Sequence, residues 1–276
     1  MIGSQAIDTI DGGDGHDVIT GNAGEDVLDG GPGNDEIDGG DSNDKITDLS
    51  GNNVVRGGPG DDLITTGDDN DRINTGDGLN TVFSGGGNDL VIGGSDIDVI
   101  FAGAGRDRVF AGDSADEIHG GEDNDILSGE NGEDTIYGGA DNDLIVGGDD
   151  RDTLHGDEGN DVIHGQDGND VVRGGDGFDE LYGDAGEDEL FGEADDDTIY
   201  GGLQNDTISG GPDNDTIFGQ EGQDILDGDA GDDWIDGGED DDTINGGANA
   251  DTLFGRDGED TIHGNDGDDF LSLINI

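Results

Sequence analysis

Cysteine is absent from the 276 residues, which removes disulfides and thiolate metal sites and leaves the redox compartment open. Basic side chains are scarce as well: 8 Lys and Arg stand against 74 Asp and Glu, a formal charge of −66 at pH 7. Binding a phosphate backbone requires Lys and Arg to displace counterions, so nucleic acid is excluded as a partner. Anionic lipid surfaces are excluded for the same reason. No window approaches ~18 consecutive apolar residues, so no membrane span is expected. The start, Met1-Ile2-Gly3-Ser4-Gln5-Ala6-Ile7-Asp8, has neither a basic stretch nor an apolar core, and no conventional signal peptide is read there. Some export routes read no such signal, so this does not assign the chain to the cytosol. With only 28% hydrophobic residues and 60 Gly, the composition alone describes a chain too polar and too self-repelling to fold.

The order of the residues argues the opposite. An Asp or Asn stands at every ninth position from Asp8 to Asp269, and two residues after each comes Ile, Leu or Val, thirty times in thirty. Only Asn53 and Asn80 break the run of Asp, and the frame never slips. A period this short and this persistent belongs to a solenoid.

Aligned on the acid, the unit is G-G-x-G-x-D-x-U-x with U aliphatic, as in Gly30-Gly31-Pro32-Gly33-Asn34-Asp35-Glu36-Ile37-Asp38 and Gly174-Gly175-Asp176-Gly177-Phe178-Asp179-Glu180-Leu181-Tyr182. Six residues read as loop and three as strand, the aliphatic pointing inward between two outward neighbours. Glycine fills position one in 24 of the 30 copies, which suits a backbone of positive φ. Strands so short cannot pair alone. Two units should therefore wind into one turn of 18 residues, with turns stacked as parallel strands, about 15 turns in all. One sheet would hold Ile10, Leu28, Ile46 and onward to Ile262, and the other Ile19, Ile37 and onward to Leu271. The expected fold is all-β: a parallel β-roll solenoid with two short-stranded sheets, residues 1–272 forming one repeat domain and the apolar tail 273–276 a cap or a truncation point.

Each turn buries just two aliphatic side chains against the entropy of ordering a whole coil, so a further stabiliser must act in every turn. Hard divalent cations supply it. Calcium takes six to eight oxygens in flexible geometry from carboxylates and main-chain carbonyls, and a glycine-rich loop ending in Asp offers both. Zinc fits poorly, because there are no Cys and the five His (His16, His119, His155, His164, His263) are scattered. Magnesium demands stricter octahedral geometry and holds its waters. An ion between each loop and the loop two units on gives at most about 28 calcium ions, which would bring −66 to about −10. Additional acid at position four, at Asp69, Asp96, Asp123, Asp141, Asp150, Asp195, Asp213 and Asp240, deepens the negative field around the same loops.

The unit resembles the hemolysin-type, or RTX, calcium-binding nonapeptide over essentially the whole chain, from Gly3 to Ser272. The resemblance implies a calcium-filled parallel β-roll, bacterial type I secretion, and folding triggered by extracellular calcium. Carried over residue by residue, it implies side-chain ligands at Asp17, Asp26, Asp35, Asp62, Asp89, Asp107, Asp125, Asp134, Asp143, Asp161, Asp170, Asp179, Asp188, Asp206, Asp215, Asp224, Asp233 and Asp260. Some loops depart from the pattern. Asp48-Leu49-Ser50-Gly51-Asn52-Asn53 has lost two glycines and the aspartate, so ions bounded by it should be weak or missing. Thr75-Gly76-Asp77-Gly78-Leu79-Asn80 is similarly weakened, and the best occupancy is expected after about residue 120.

Outward aromatics recur in register, with Tyr182, Tyr200 and Phe218 on one sheet and Phe83 and Phe101 on the other, as stacked ladders or as a platform for a glycan or surface partner. Trp234 stands alone in its row. Outward Thr135, Thr153, Thr198, Thr216, Thr243 and Thr261 are interrupted by Glu, Val, Ile, Trp and Phe, which argues against a flat ice-binding array. Carboxylate pairs occur everywhere and no pocket singles one out, so no enzyme is expected. The reading is a non-enzymatic, secreted or cell-surface calcium module acting as a structural or stalk element. The alternative is the secretion and folding module of a larger type I-secreted toxin or enzyme.

Overall fold

In the computed structural model, which describes residues 1–273, every regular element is a β-strand. Thirty strands fall alternately into two parallel sheets, so two nonapeptides make one coil of 18 residues and the fold is an all-β parallel solenoid of about 15 coils. Two compact units divide the chain, Met1–Tyr137 and Gly138–Ile276. In the first, Ile10 registers with Leu28 and Leu28 with Ile46 in one sheet, while Ile19 registers with Ile37 in the other. In the second, Leu181, Ile199 and Ile217 follow one another in the same way. The period dictates this register, because a slip of one residue would turn the outward neighbours of the aliphatic into the core. From Ile19 to Leu253 the inward aliphatics are 2% exposed or less.

Most strands are twice as long as the repeat suggests, running six residues as in Thr198–Leu203. Pairing continues past the aliphatic into positions one to three of the next unit, where Asp184 registers with Gly202. Position one there is mostly glycine, so the ladder passes from flat strand into turn without a gap.

The expected role of the position-one glycine is corrected by this geometry. Positive φ occurs at positions two and four, as at Gly175 (118°) and Gly177 (140°), and among the described residues no position-one glycine adopts it. Acidic residues share that conformation at position four, with Asp141 at 73° and Asp150 at 78°, because a short polar side chain tolerates the left-handed region better than most. Position one is glycine for lack of space. A Cβ on Gly174 would stand 2.7 Å from the carbonyl oxygen of Gly192 and against Oδ2 of Asp179.

Outward rings stack as the 18-residue register requires. In the first unit Phe83, Phe101, His119 and Tyr137 follow at centroid spacings of 5.0, 4.6 and 4.8 Å. His164, Tyr182, Tyr200 and Phe218 do so in the second, at 4.3, 4.8 and 4.9 Å. Two histidines that look scattered in the sequence are thus rungs of aromatic ladders. Nor is Trp234 alone: its ring lies tilted between Phe218 (5.0 Å) and Phe254 (5.6 Å), covering the gap left where Asp236 takes the aromatic row's place.

At the C-terminal end, Phe270 and Leu271 are exposed. A cap formed by the tail 273–276 falls largely on residues 274–276, outside the described residues. Among the described residues no helix is long and apolar enough to cross a membrane.

Candidate metal centre

Each coil delivers its two aspartates to the same place, one at each edge between the sheets. The strand fixes the aliphatic two residues later, and the left-handed residues at positions two and four turn the chain so that the acid points inward. Its first oxygen is used by the backbone. In the second unit the amide of Asp143 donates to Oδ1 of Asp161, Asp161 to Asp179, and Asp179 to Asp197, at 2.7 to 2.8 Å. On the opposite edge Asp170 donates to Asp188, Asp188 to Asp206 and Asp206 to Asp224, at 2.8 to 2.9 Å. Asp17 to Asp35, and Asp89 to Asp107, do the same in the first unit. Asn53 and Asn80 keep this ladder intact, since an amide oxygen accepts as a carboxylate does.

The second oxygen is left over. Among the described residues, Oδ2 of Asp17, Asp26, Asp35, Asp62, Asp89, Asp107, Asp161, Asp170, Asp179, Asp188, Asp206, Asp215, Asp224 and Asp233 is buried and accepts no hydrogen bond. Where position one is glycine, it faces the hollow that the glycine leaves open. At Gly201, a Cβ would meet Oδ2 of Asp206 at 2.6 Å and the carbonyl oxygen of Gly219, one coil on, at 2.8 Å. Carboxylate and main-chain carbonyl therefore converge on one small space in coil after coil.

Burial has the expected electrostatic result. It pushes the carboxyls of Asp62, Asp89, Asp179, Asp188, Asp215 and Asp233 up to about 7, and Asp206 to about 8, against the relief given by the amide one coil back. Asp107, Asp161, Asp170 and Asp224 are raised to about 6 for the same reason. Neighbouring carboxylates in the column raise several of them further. A column of desolvated acids without cationic partners is stable only if protons or metal ions neutralise it.

Sequence reasoning passed over several equivalent residues. Asp44, Asp71, Asp98, Asp116, Asp152, Asp197, Asp242 and Asp251 occupy the same position and are 3% exposed or less. Their loops are irregular elsewhere, but the nine-residue phase was the signal that mattered. Of the residues singled out from the sequence, Asp125, Asp134 and Asp143 are equally buried, whereas Asp17 and Asp260 are only half-buried. Among the described residues no three His, Asp or Glu side chains gather as a metal cluster. The hollows instead pair carboxylate with carbonyl.

A family model, the RTX calcium-binding nonapeptide repeat in four copies, matches fourteen overlapping stretches from residues 2–37 to residues 236–271. The chain belongs to the RTX calcium-binding nonapeptide repeat family. No curated protein matches it significantly. Among solved structures, it is similar to a hyperactive, Ca2+-dependent, β-helical antifreeze protein from an Antarctic bacterium, with 21% identity, 84% of this chain and 83% of that chain covered, and a TM-score of 0.43. RTX repeats support calcium binding, and the donor set agrees with it. Hard carbonyl and carboxylate oxygens suit calcium, and the orphaned Oδ2 atoms fit a cation that would sit in the hollow.

Proposed function

We propose that this RTX chain is an extracellular calcium-binding module that folds on binding Ca2+ and serves as a structural or surface-stalk element. The observation that carries the reading is the column of buried Oδ2 atoms, many of them facing a carbonyl oxygen across the space above a position-one glycine, as Asp179, Asp188 and Asp206 do. The aspartates named from the sequence, together with Asp44, Asp71, Asp116, Asp152, Asp197, Asp242 and Asp251, are the proposed side-chain ligands. Without metal the columns repel themselves and the thin aliphatic core cannot hold the coils. With metal, the affinity of the assembled loops becomes folding free energy. Calcium outside cells is abundant enough to fill sites of modest affinity, which ties ordering to export. Residues 1–272 would then order as a single repeat domain.

Circular dichroism during a calcium titration, reversed with chelator, tests this. A disordered spectrum in chelator that becomes β-rich in one transition with calcium is expected. An equally β-rich spectrum in excess chelator overturns the reading.

A further inference from the structure

Loop 48–53 combines the two departures that weaken the pattern most: Asn53 replaces the position-six aspartate, and Asp48 replaces the position-one glycine. Asn53 keeps the ladder, accepting the Asp35 amide at 3.0 Å and donating its own amide to Asp71 Oδ1 at 2.7 Å. What it loses is the free negative oxygen, whose place is taken by Nδ2, buried and without an acceptor. Asp48 is 0% exposed, and neither of its carboxylate oxygens makes a hydrogen bond of normal geometry. Its side chain reaches back one coil. There Asp48 Oδ2 and Asp35 Oδ2, the latter also orphaned, both lie within 3.0 Å of where a Cβ on Gly30 would stand. The hollow above Gly30 thus receives two carboxylates where the regular hollows receive one carboxylate and a carbonyl.

The other Asn loop resolves the same loss differently. At position one of loop 75–80, Thr75 donates its hydroxyl to Asp98 Oδ2 at 3.1 Å, and Asn80 Nδ2 donates to the Gly78 carbonyl at 2.9 Å. Charge there is satisfied from within. Among the described residues Asp48 meets the backbone amide of Ser50 but no side-chain donor, and the nearest basic side chains along the chain, Lys45 and Arg56, are exposed and outward.

We propose that Asp48 and Asp35 together hold a divalent cation, calcium by its donor chemistry, in the hollow of Gly30. The loop that the repeat pattern marks as defective lends its position-one carboxylate to the hollow of the coil before it, where regular hollows receive a carbonyl. Two desolvated carboxylate oxygens that converge on one hollow and accept no hydrogen bond of normal geometry favour a cation between them, and chelation from two coils ties them together where the consensus fails. Loop 75–80, in contrast, needs no ion at the Thr75 position. The inference rests on the reading that cations occupy these hollows.

Native mass spectrometry of the full chain, titrated with calcium from a chelated state, resolves single ions. Asp48→Asn, which preserves shape, should bind one calcium fewer than the unaltered chain, whereas Asp48→Gly, which gives the hollow of Gly30 the regular pair of Asp35 carboxylate and main-chain carbonyl, should keep the count. Asp48→Gly combined with Asn53→Asp should bind one ion more than Asp48→Gly alone, because it also gives position 48 a regular hollow. Thr75→Ser should leave the count unchanged. An Asp48→Asn chain that binds as many ions as the unaltered one, or an Asp48→Gly chain that binds no more than Asp48→Asn, overturns the proposal while the calcium reading stands. An unaltered chain that takes up no calcium overturns both.

Discussion

The backbone amide of Asp188 donates to Oδ1 of Asp206 at 2.9 Å, and this single bond leaves the second oxygen of Asp206 facing the hollow of Gly201 with no donor to meet it. One oxygen sets the stacking of the coils, and the other sets their charge. The two atoms therefore respond differently to substitution.

Asp206→Asn separates them. The amide oxygen can still accept from Asp188, as Asn53 does from Asp35, so the ladder survives. Losing the carboxylate should weaken the calcium held at that hollow by about 10-fold or more, because ligand charge tunes calcium affinity over decades. Without calcium the sign reverses: a buried unpaired charge is gone, and the chelated chain should retain more structure. Calorimetric titration and circular dichroism in chelator measure the two limbs. Equal behaviour of variant and parent in both would remove Asp206 from the site.

Gly201 and Gly202 are adjacent glycines kept for different reasons. Gly201→Ala puts a Cβ 2.6 Å from Asp206 Oδ2 and 2.8 Å from the Gly219 carbonyl, so it should displace the metal donors and lower calcium affinity. Gly202, at φ 119°, lies in the left-handed region, and a Cβ there would also stand 2.2 Å from the Asp184 carbonyl oxygen. Gly202→Asn should cost less than Gly202→Val, because Asn22 and Asp184 hold that position in other coils, and the β-branched residue adds about 1 to 2 kcal/mol of left-handed strain. Thermal melts in saturating calcium would rank the three. A silent Gly201→Ala contradicts the account.

Acidity should act in opposite directions with and without metal. Burial raises Asp188 and Asp215 to about 7 and Asp197 and Asp206 to about 8, from 3.8. The folded chain therefore binds more protons than the unfolded chain between those limits, and the metal-free fold is least stable above the higher values and gains as pH falls toward 3.8. In chelator, β-signal should grow on acidification from about pH 8 to about pH 5. Protons compete with calcium for the same oxygens, so the calcium midpoint should rise over the same interval. A midpoint independent of pH would show that these carboxylates are not the ligands.

The lone tryptophan reports on the same transition. Trp234 packs against Phe218 and Phe254 only once neighbouring coils are stacked. Its emission should shift to the blue on adding calcium and return with chelator. In the folded chain, Tyr200→Ala removes two stacked contacts, at 4.8 and 4.9 Å, each worth about 0.5 to 1.5 kcal/mol. The melting temperature in calcium should fall accordingly, with the number of bound ions unchanged.

Much of the fold is legible in the chain because its period couples two constraints. The aliphatic two residues after each acid fixes which face is buried, and the unbroken frame fixes the 18-residue register of Ile19 with Ile37 and Leu181 with Ile199. The acid's place at the coil edge follows from the same phase, and so does its oxygen chemistry. Less was legible in position one, where glycine suits both a left-handed backbone and a crowded one. Only the approach of the Gly192 carbonyl to Gly174 decides between them.

The sequence by itself determined the repeat, the two aliphatic rows and the identity of the donor atoms, since each is a property of spacing and residue type within one unit. Tertiary structure alone decided which oxygen of each aspartate is consumed by the next coil and which is left over. It also decided that Asp48, read from the sequence as a defect, points its carboxylate at Asp35. Such choices depend on distances between residues a full coil apart, and on space that one side chain fills or leaves open. A nine-residue pattern contains neither.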